Sequence, residues 1–468
     1  MKDSKKKVVV IGGGITGLSA AYYLQKSILE QGLAIDVQLV EANHKLGGKI
    51  QTVYKDGFVI ERGPDSFLER KQSAAKLVRD VGLEDQLVNN TAGRAYVLVN
   101  DKLHSMPEGA VMGIPTKMAP LATTELFSVQ GKMRAVGDLV LPRSKVTGDQ
   151  SLGNFFRRRL GDEVVENLIE PLLSGIYAGD IDQLSLMSTF PQFYQVEREY
   201  RSLIRGMRKT TPEPSRNVKK GKFLTLTGGL QTLVDALEEK MIPGTILKGT
   251  KIVSIVDKKP DSSGYNIELN NGKSIEADSI VMALPHSALS ELFSGQEFMC
   301  NFKKMSATTV ATVAMAFDAE EVEDVLDGTG FVVSRNSDYT ITACTWTHKK
   351  WPHTTPEGKV LLRCYVGRAG EETVVDLPDA EIEKIVLDDL KRTMNILATP
   401  EFTIVSRWQK AMPQYTVGHQ ERLTELKAKL QESMPGIFIA GSSFEGVGLP
   451  DCIDQGKTAV EEVLNFIK

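Results

Sequence analysis

Residues 6–17, KKVVVIGGGITG, constrain this chain more than any other stretch. Val8, Val9, Val10 and Ile11 read as a short β-branched strand that runs straight into glycines. Gly12, Gly14 and Gly17 keep the G-x-G-x-x-G spacing, with Gly13, Ile15 and Thr16 between them. The first glycine permits a tight turn, the second lets backbone approach a pyrophosphate, and the third lets the next helix pack close to the strand. That helix turns unpaired N–H groups and a positive dipole end toward the phosphates. Leu18 to Leu24 continue as a helix of small and apolar residues, Gly32 follows it, and Val37 to Glu41 form a second strand ending in an acid. Glu41 stands near the spacing, ~20 residues, expected of the carboxylate that holds ribose hydroxyls. This order predicts a dinucleotide-binding α/β unit.

A chain of 468 residues exceeds one comfortable core, so two or three domains are expected. The net charge of −4 argues for neither nucleic acid nor an anionic membrane as partner. The basic runs Lys5–Lys7 and Arg157–Arg159 read as solvated faces or a strand entry. Cys300, Cys344, Cys364 and Cys452 show no C-x-x-C spacing, which speaks against a metal cluster and suits a reducing cytoplasm. No apolar run approaches the ~18 residues of a transmembrane span. A cleavable signal is not expected, since cleavage would remove the glycine turn.

From about Ala74 to Arg208 apolar residues recur mostly at helical spacing, as in Leu168, Ile169, Leu172 and Leu173. Lys209 to Lys222 reads as an exposed loop and a boundary. Phe223 to Leu230 follows, then an amphipathic helix through Leu233 and Leu237, then strand-like runs at 251–256, 265–269 and 279–284, with Asn271-Gly272 as a hairpin signal. Further strands are expected at 308–317, 330–334, 339–345 and 360–366. Gly436 to Gly441 repeats the strand-into-glycine pattern, and a helix is expected from about Gly456 to the end. Nucleotide-fold signals thus lie at both ends of the chain.

Three further motifs point to FAD rather than NAD. Leu46-Gly47-Gly48-Lys49 follows Glu41 and Ala42, with paired glycines to turn close to phosphate and a cation to meet it. Ile60 to Ser66 is a strand ending in a turn, Gly63-Pro64-Asp65-Ser66, suited to backbone contact with a ring system. Gly446-Val447-Gly448-Leu449-Pro450 precedes the last helix and brings its N-terminus toward the pyrimidine edge of a flavin, where reduction builds negative charge.

Together, GGGITGL, VEA, LGGKIQT, IERGPDSFL, PLLSGIYAGD, LTGGLQTL, SRWQKAMPQY and GSSFEGVGLPDCIDQG resemble the porphyrinogen oxidase branch of the monoamine oxidase-like flavoproteins, most closely its Gram-positive bacterial type. The resemblance implies an α/β fold: a Rossmann-like FAD-binding domain of the glutathione reductase and monoamine oxidase kind, with a helical insert and a β-rich substrate domain. Expected boundaries are 1–72, 220–284 and 405–468 for the FAD domain, 73–208 for the insert and 285–404 for the substrate domain. It implies that Gly12 to Gly17 cradle the pyrophosphate and that Glu41 and Ala42 meet the adenosine ribose. Lys49 and Gly63 to Ser66 lie along the diphosphate and isoalloxazine. The Ile252 backbone meets adenine, Trp408 stands near the flavin, and Val447, Gly448 and Leu449 make the C-terminal flavin contact. Trp408 also fits a core anchor.

Two departures matter. Ser442 follows Gly441 where most of the wider superfamily has an acid, and 407–418 lacks the cysteine to which monoamine oxidases attach flavin, so FAD is expected to be non-covalent. Cys452 reads as a small buried residue.

The implied reaction removes six electrons from coproporphyrinogen III in three rounds, with molecular oxygen as acceptor and hydrogen peroxide released. Flavin N5 carries the chemistry, and no catalytic side chain is assigned. Gly175 and Ile176, in Pro171 to Gly179, are the candidate substrate wall, although Gly175 also reads as a helix end. Lys71 leads as the propionate anchor, before Arg70 and Arg94, although each also reads as a solvated charge. Ala110 to Pro115 is the candidate exposed apolar patch for peripheral membrane contact. Protoporphyrinogen IX stays open as substrate, and a flavin amine oxidase, a carotenoid desaturase or a non-catalytic lipid-binding carrier as function.

Overall fold

The computed structural model describes residues 5–91, 93–211, 220–258, 264–322 and 327–468. Residues 212–219 of the expected Lys209–Lys222 loop lie outside them. Val8, Val9 and Val10 have no exposed surface, because the Lys6–Ile11 strand lies at the centre of a five-stranded sheet. The strand order is Ile246–Leu247, Ile35–Val40, Lys6–Ile11, Ser279–Met282 and Ile437–Ile439, and every pair is parallel. Such a sheet is buried on both faces, which is why residues 8–11, 280–282 and 437–439 are continuous apolar runs. The chain leaves the central strand toward Ile35–Val40 on one side and later fills Ser279–Met282 on the other. The glycine turn therefore opens at a topological switch point, where open α/β sheets bind their ligands.

The Ile15–Gln31 helix starts directly at the turn and packs on the C-terminal helix, Leu449–Ile467. A Cβ on Gly456 would meet Thr16 O at 2.6 Å, so only glycine allows this approach. Leu18, Leu24, Ile453 and Val460 share one core. The C-terminal helix begins seven residues before its expected start near Gly456, at Leu449. Pro450 sits in its first turn, where no backbone N–H is needed.

A second sheet has seven strands, ordered Phe402–Pro413, Ala307–Asp318, Lys359–Val366, Ile341–Trp346, Gly330–Val333, Ala95–Val99 and Lys102–Ser105. Its pairs are antiparallel except Gly330–Val333 with Ala95–Val99. The last two strands come from a stretch expected to be mainly helical. Asn100 and Asp101, at φ 50° and 60°, close them as a hairpin, and five residues are too few to display either period clearly.

Helices between Met118 and Thr210 enclose a separate core around Phe155, Phe156, Leu168 and Phe193. Two expectations fail here. Arg159 is fully buried, not solvated: successive helical residues point to different faces, and its inward face meets Asp138. Arg157 and Arg158 are also ion-paired, to Asp162, Glu166 and Asp182 and to Glu197. Ala110 to Pro115 is no exposed patch: Val111 and Ile114 bridge each other, and Gly113, Ile114 and Pro115 are buried. The most exposed of the large apolar side chains described in this region are instead Val129, Met133 and Val140. Among the described residues no helix is long and apolar enough to cross a membrane.

Candidate active site

The glycine turn is built to stay bare. A Cβ on Gly17 would overlap Gly12 O, and one on Gly12, at φ 107°, would meet Ala283 O at 2.5 Å. Gly14 has no heavy atom within 4 Å of a Cβ position, so its face is an open cradle at the N-terminus of the Ile15–Gln31 helix. Ile15 and Thr16 are buried and begin that helix. Glu41 folds back over the turn: its Oε2 accepts from Gly13 N at 2.6 Å and its Oε1 from Asn43 N at 2.7 Å. Thr250 N donates to Glu41 O at 2.9 Å and Gly249 N to Asn43 O at 3.0 Å, which carries the Ile252–Asp257 strand to the Glu41–Ala42 side. Gly47 bridges Gly14, and a Cβ on Gly48 would lie 3.2 Å from Gly14 Cα.

Lys49 leaves this loop for the interior. Its Nζ donates to Ala411 O and, at 3.3 Å, to Ser442 Oγ, and among the described residues no acid pairs with it. Burial lowers its pKa from the usual lysine value. A cation buried this way asks for an anion. Gly63 lies hard against it, since a Cβ there would overlap Lys49 O.

The Gly63–Ser66 turn is strapped to the seven-stranded sheet. Arg62 O accepts from Trp408 Nε1 at 3.0 Å and Thr312 Oγ1 at 2.8 Å, and Arg363 Nη2 donates to Gly63 O. Asp65 accepts from Lys350 Nζ at 2.7 Å, Trp351 Nε1 at 3.2 Å and Ser66 Oγ at 2.7 Å. Burial alone would raise the Asp65 carboxyl; Lys350 and Arg363 hold it well below the usual range. Trp408 is thus a post behind the turn. Arg363, Lys350 and Thr312 escape sequence reading, being remote and in no motif. The one visible signal is an arginine inside the apolar run Val360-Leu361-Leu362-Arg363-Cys364.

The last flavin motif closes the far side. Gly448 caps the C-terminal helix, with Val447 before it and Leu449 as first helical residue. Tyr415 is fully buried: its OH donates to Ser442 O and accepts from Gly446 N, both at 2.8 Å, and its ring stacks on His419 at 4.1 Å. It supports the loop rather than facing a substrate, which removes the aromatic cage of an amine oxidase at this position. Asp451, in the helix's first turn, takes the Lys71 ammonium at 2.5 and 2.7 Å. Gly175 and Ile176 lie exposed within the Glu170–Tyr177 helix, which continues past Gly175. The Tyr177 ring sits 5.6 Å from that of Tyr415, so this helix end meets the Ser442–Leu449 loop.

The open glycine cradle, a helix N-terminus, the unpaired Lys49 cation and a second helix N-terminus at Gly448 form a donor set that fits FAD. The family described as Flavin containing amine oxidoreductase matches residues 15–464. The coproporphyrinogen III oxidase of Bacillus subtilis (strain 168) is 58% identical over 471 residues, covering 100% of both chains. That of Staphylococcus aureus (strain NCTC 8325 / PS 47) is 46% identical over 98% of this chain and 99% of its own. A solved structure from Exiguobacterium sp. 255-15 superposes with a TM-score of 0.88 at 38% identity, covering 98% of this chain and 99% of that one. This chain is an FAD-dependent oxidoreductase and belongs to the flavin containing amine oxidoreductase family, in the branch that holds these porphyrinogen oxidases.

Proposed function

We propose that the protein oxidises coproporphyrinogen III to coproporphyrin III in haem biosynthesis, with molecular oxygen as acceptor and hydrogen peroxide as co-product. The full-length 58% identity to the Bacillus subtilis coproporphyrinogen III oxidase carries this reading. The proposed setting is the cytoplasm; four cysteines without a disulfide among the described residues suit a reducing compartment. Any membrane contact is peripheral.

When bound, FAD accepts the electrons removed at each carbon bridge. The chain supplies position and charge. Gly12 to Gly17 take the pyrophosphate at the helix N-terminus, and Glu41 and Ala42 take the ribose. The Ile252 backbone meets adenine. Lys49 and the Gly63–Ser66 turn, braced by Trp408, lie along the diphosphate and isoalloxazine. Val447 to Leu449 aim the C-terminal helix dipole at the pyrimidine edge. Gly175 and Ile176 form one wall of the substrate cleft. Lys71, already paired to Asp451, shares its ammonium with a propionate at the mouth.

The test is parallel oxygen consumption, peroxide release and porphyrin fluorescence with coproporphyrinogen III and protoporphyrinogen IX. A higher kcat/KM for coproporphyrinogen III is expected; preference for protoporphyrinogen IX overturns the assignment. Lys71→Ala should raise KM more for the substrate with four carboxylates than for that with two. Equal KM for variant and wild type on both substrates removes Lys71 as anchor.

A further inference from the structure

Arg363, on the Lys359–Val366 strand, is 4% exposed. Its Nη2 donates to Gly63 O and, at 3.4 Å, to Arg62 O, and its guanidinium lies 5.0 Å from the Tyr365 ring centre. Beside it is a cavity of about 20 Å³, lined by Glu61, Asp65, Thr347, Trp351 and Arg363 among others. That volume holds one water. Two polar atoms at this cavity, Arg363 Nε and Thr347 Oγ1, are buried without a hydrogen-bond partner among the described residues. The third polar wall is the Glu61 carboxyl, which accepts from Leu230 N at 2.6 Å and Thr52 Oγ1 at 3.0 Å. One water placed there would accept from Arg363 Nε–H, donate to Glu61 and bond the Thr347 hydroxyl, satisfying both orphans at once.

We infer that Arg363 is a positioning residue for FAD: it clamps the Arg62 and Gly63 carbonyls behind the flavin-facing turn, and an ordered water bridging Arg363 Nε, Thr347 Oγ1 and Glu61 couples that clamp to the charge of Glu61. The inference rests on the reading that Gly63 to Ser66 line the flavin. Asp65 is engaged by Lys350 and Trp351 and also faces Arg363, and Glu61 is the second acid acting on that guanidinium. Burial raises the Glu61 carboxyl to about 7, against the pull of Leu230 N–H, Thr52 and Arg363. The other groups acting on it are Asp65 on the turn and Tyr54 on the neighbouring strand. Lys350 is tied to Asp65, and burial lowers the pKa of nearby His353. Ionised Glu61 accepts from the bridging water and adds to Asp65 in offsetting the Arg363 charge; protonated Glu61 weakens the bridge and leaves Asp65 alone to offset it.

The experiment measures FAD release from the holoenzyme by flavin fluorescence, with visible circular dichroism, from about pH 6 to 8, spanning the Glu61 pKa of about 7. Wild type should release FAD about tenfold faster at the acid end, the equivalent of one charge-assisted contact. Glu61→Gln should be flat across the range, and Arg363→Lys and Arg363→Gln should release FAD faster at every pH with an altered flavin dichroism. A crystal structure of the holoenzyme should show the bridging water. Wild-type release and dichroism in both arginine variants, or an unchanged pH profile in Glu61→Gln, overturns the inference. Should the arginine variants fail to fold, Glu61→Gln decides alone, since its amide oxygen keeps the Leu230 N–H bond and its NH2 can donate to Thr52 Oγ1 in place of accepting from it. Gly63→Ala separates the two readings. If it folds and holds FAD normally, the turn reading fails; if it loses FAD while the Arg363 and Glu61 variants do not, only the clamp fails.

Discussion

Lys49 condenses the chemistry of the site into one side chain. A buried ammonium with a carbonyl and a hydroxyl for company is a poor choice for stability, because nothing repays its desolvation. It makes sense once an anion arrives, and the FAD diphosphate is one. Lys49→Met should therefore weaken FAD binding by about ten- to a hundredfold, the ~1.5–3 kcal/mol of a hydrogen bond to a charged group. The same change should leave the flavin-free protein as stable or more so, since an uncompensated charge has gone. Equilibrium flavin titration and denaturant unfolding of the flavin-free protein check the two halves. Wild-type FAD affinity removes Lys49 from the site; a large loss of flavin-free stability makes it a structural residue instead.

Loops are held by elements here, and sequence shows the loops better than what holds them. The glycine turn, Glu41, LGGK and the Gly446–Leu449 motif are legible because each needs particular residues at fixed local spacing. Tyr415 holds the Gly446–Leu449 loop, and Thr312, Trp408 and Arg363 hold the Gly63–Ser66 turn, from far along the chain. No local rule marks Thr312 or Arg363, and Trp408 and Tyr415 stand out only through the SRWQKAMPQY resemblance. The start of the last helix blurred for a related reason: it begins at Leu449 rather than near Gly456, because proline is welcome in a first turn. Tyr415 shows what such support is worth. Its hydroxyl donates to Ser442 O and is the acceptor for Gly446 N. Tyr415→Phe leaves that N–H without its partner, at about 1–3 kcal/mol if it stays dry. The variant should unfold at lower denaturant and bind FAD more weakly, with a shifted flavin absorption band from the loosened loop. A stability loss with unaltered flavin spectrum and affinity would confine Tyr415 to folding.

On the scale of the whole molecule, the chain's two ends and its middle are joined without sharing one core. The parallel sheet and its helices form clusters distinct from that of the helical insert, and the insert has its own internal lock. Asp138, Arg159 and Glu197 are all fully buried. Asp138 accepts from Arg159 Nε and Ser202 Oγ at 2.5 Å and from Ile204 N at 3.0 Å, while Glu197 accepts from Ser144 N at 2.6 Å. Arg159 in turn reaches the carbonyls of Pro142 and Arg201. Three separate pieces of chain thus meet at one charge cluster that the triple-arginine run does not disclose, because its acids lie elsewhere in sequence. Removing one member strands the others. Asp138→Ala should cost about 3–5 kcal/mol, whereas replacing Asp138 and Arg159 together by apolar residues of similar volume should cost less. Because the parallel sheet does not depend on this lock, the insert should loosen first. Far-UV circular dichroism should then lose helix at a denaturant concentration where flavin fluorescence still reports bound cofactor, so the two curves separate in Asp138→Ala. Oxidation of the tetrapyrrole should fall with the first transition if, as proposed, the insert contributes the Gly175–Ile176 wall. Coincident curves at the wild-type midpoint would mean that the buried cluster holds nothing the rest of the fold does not already hold.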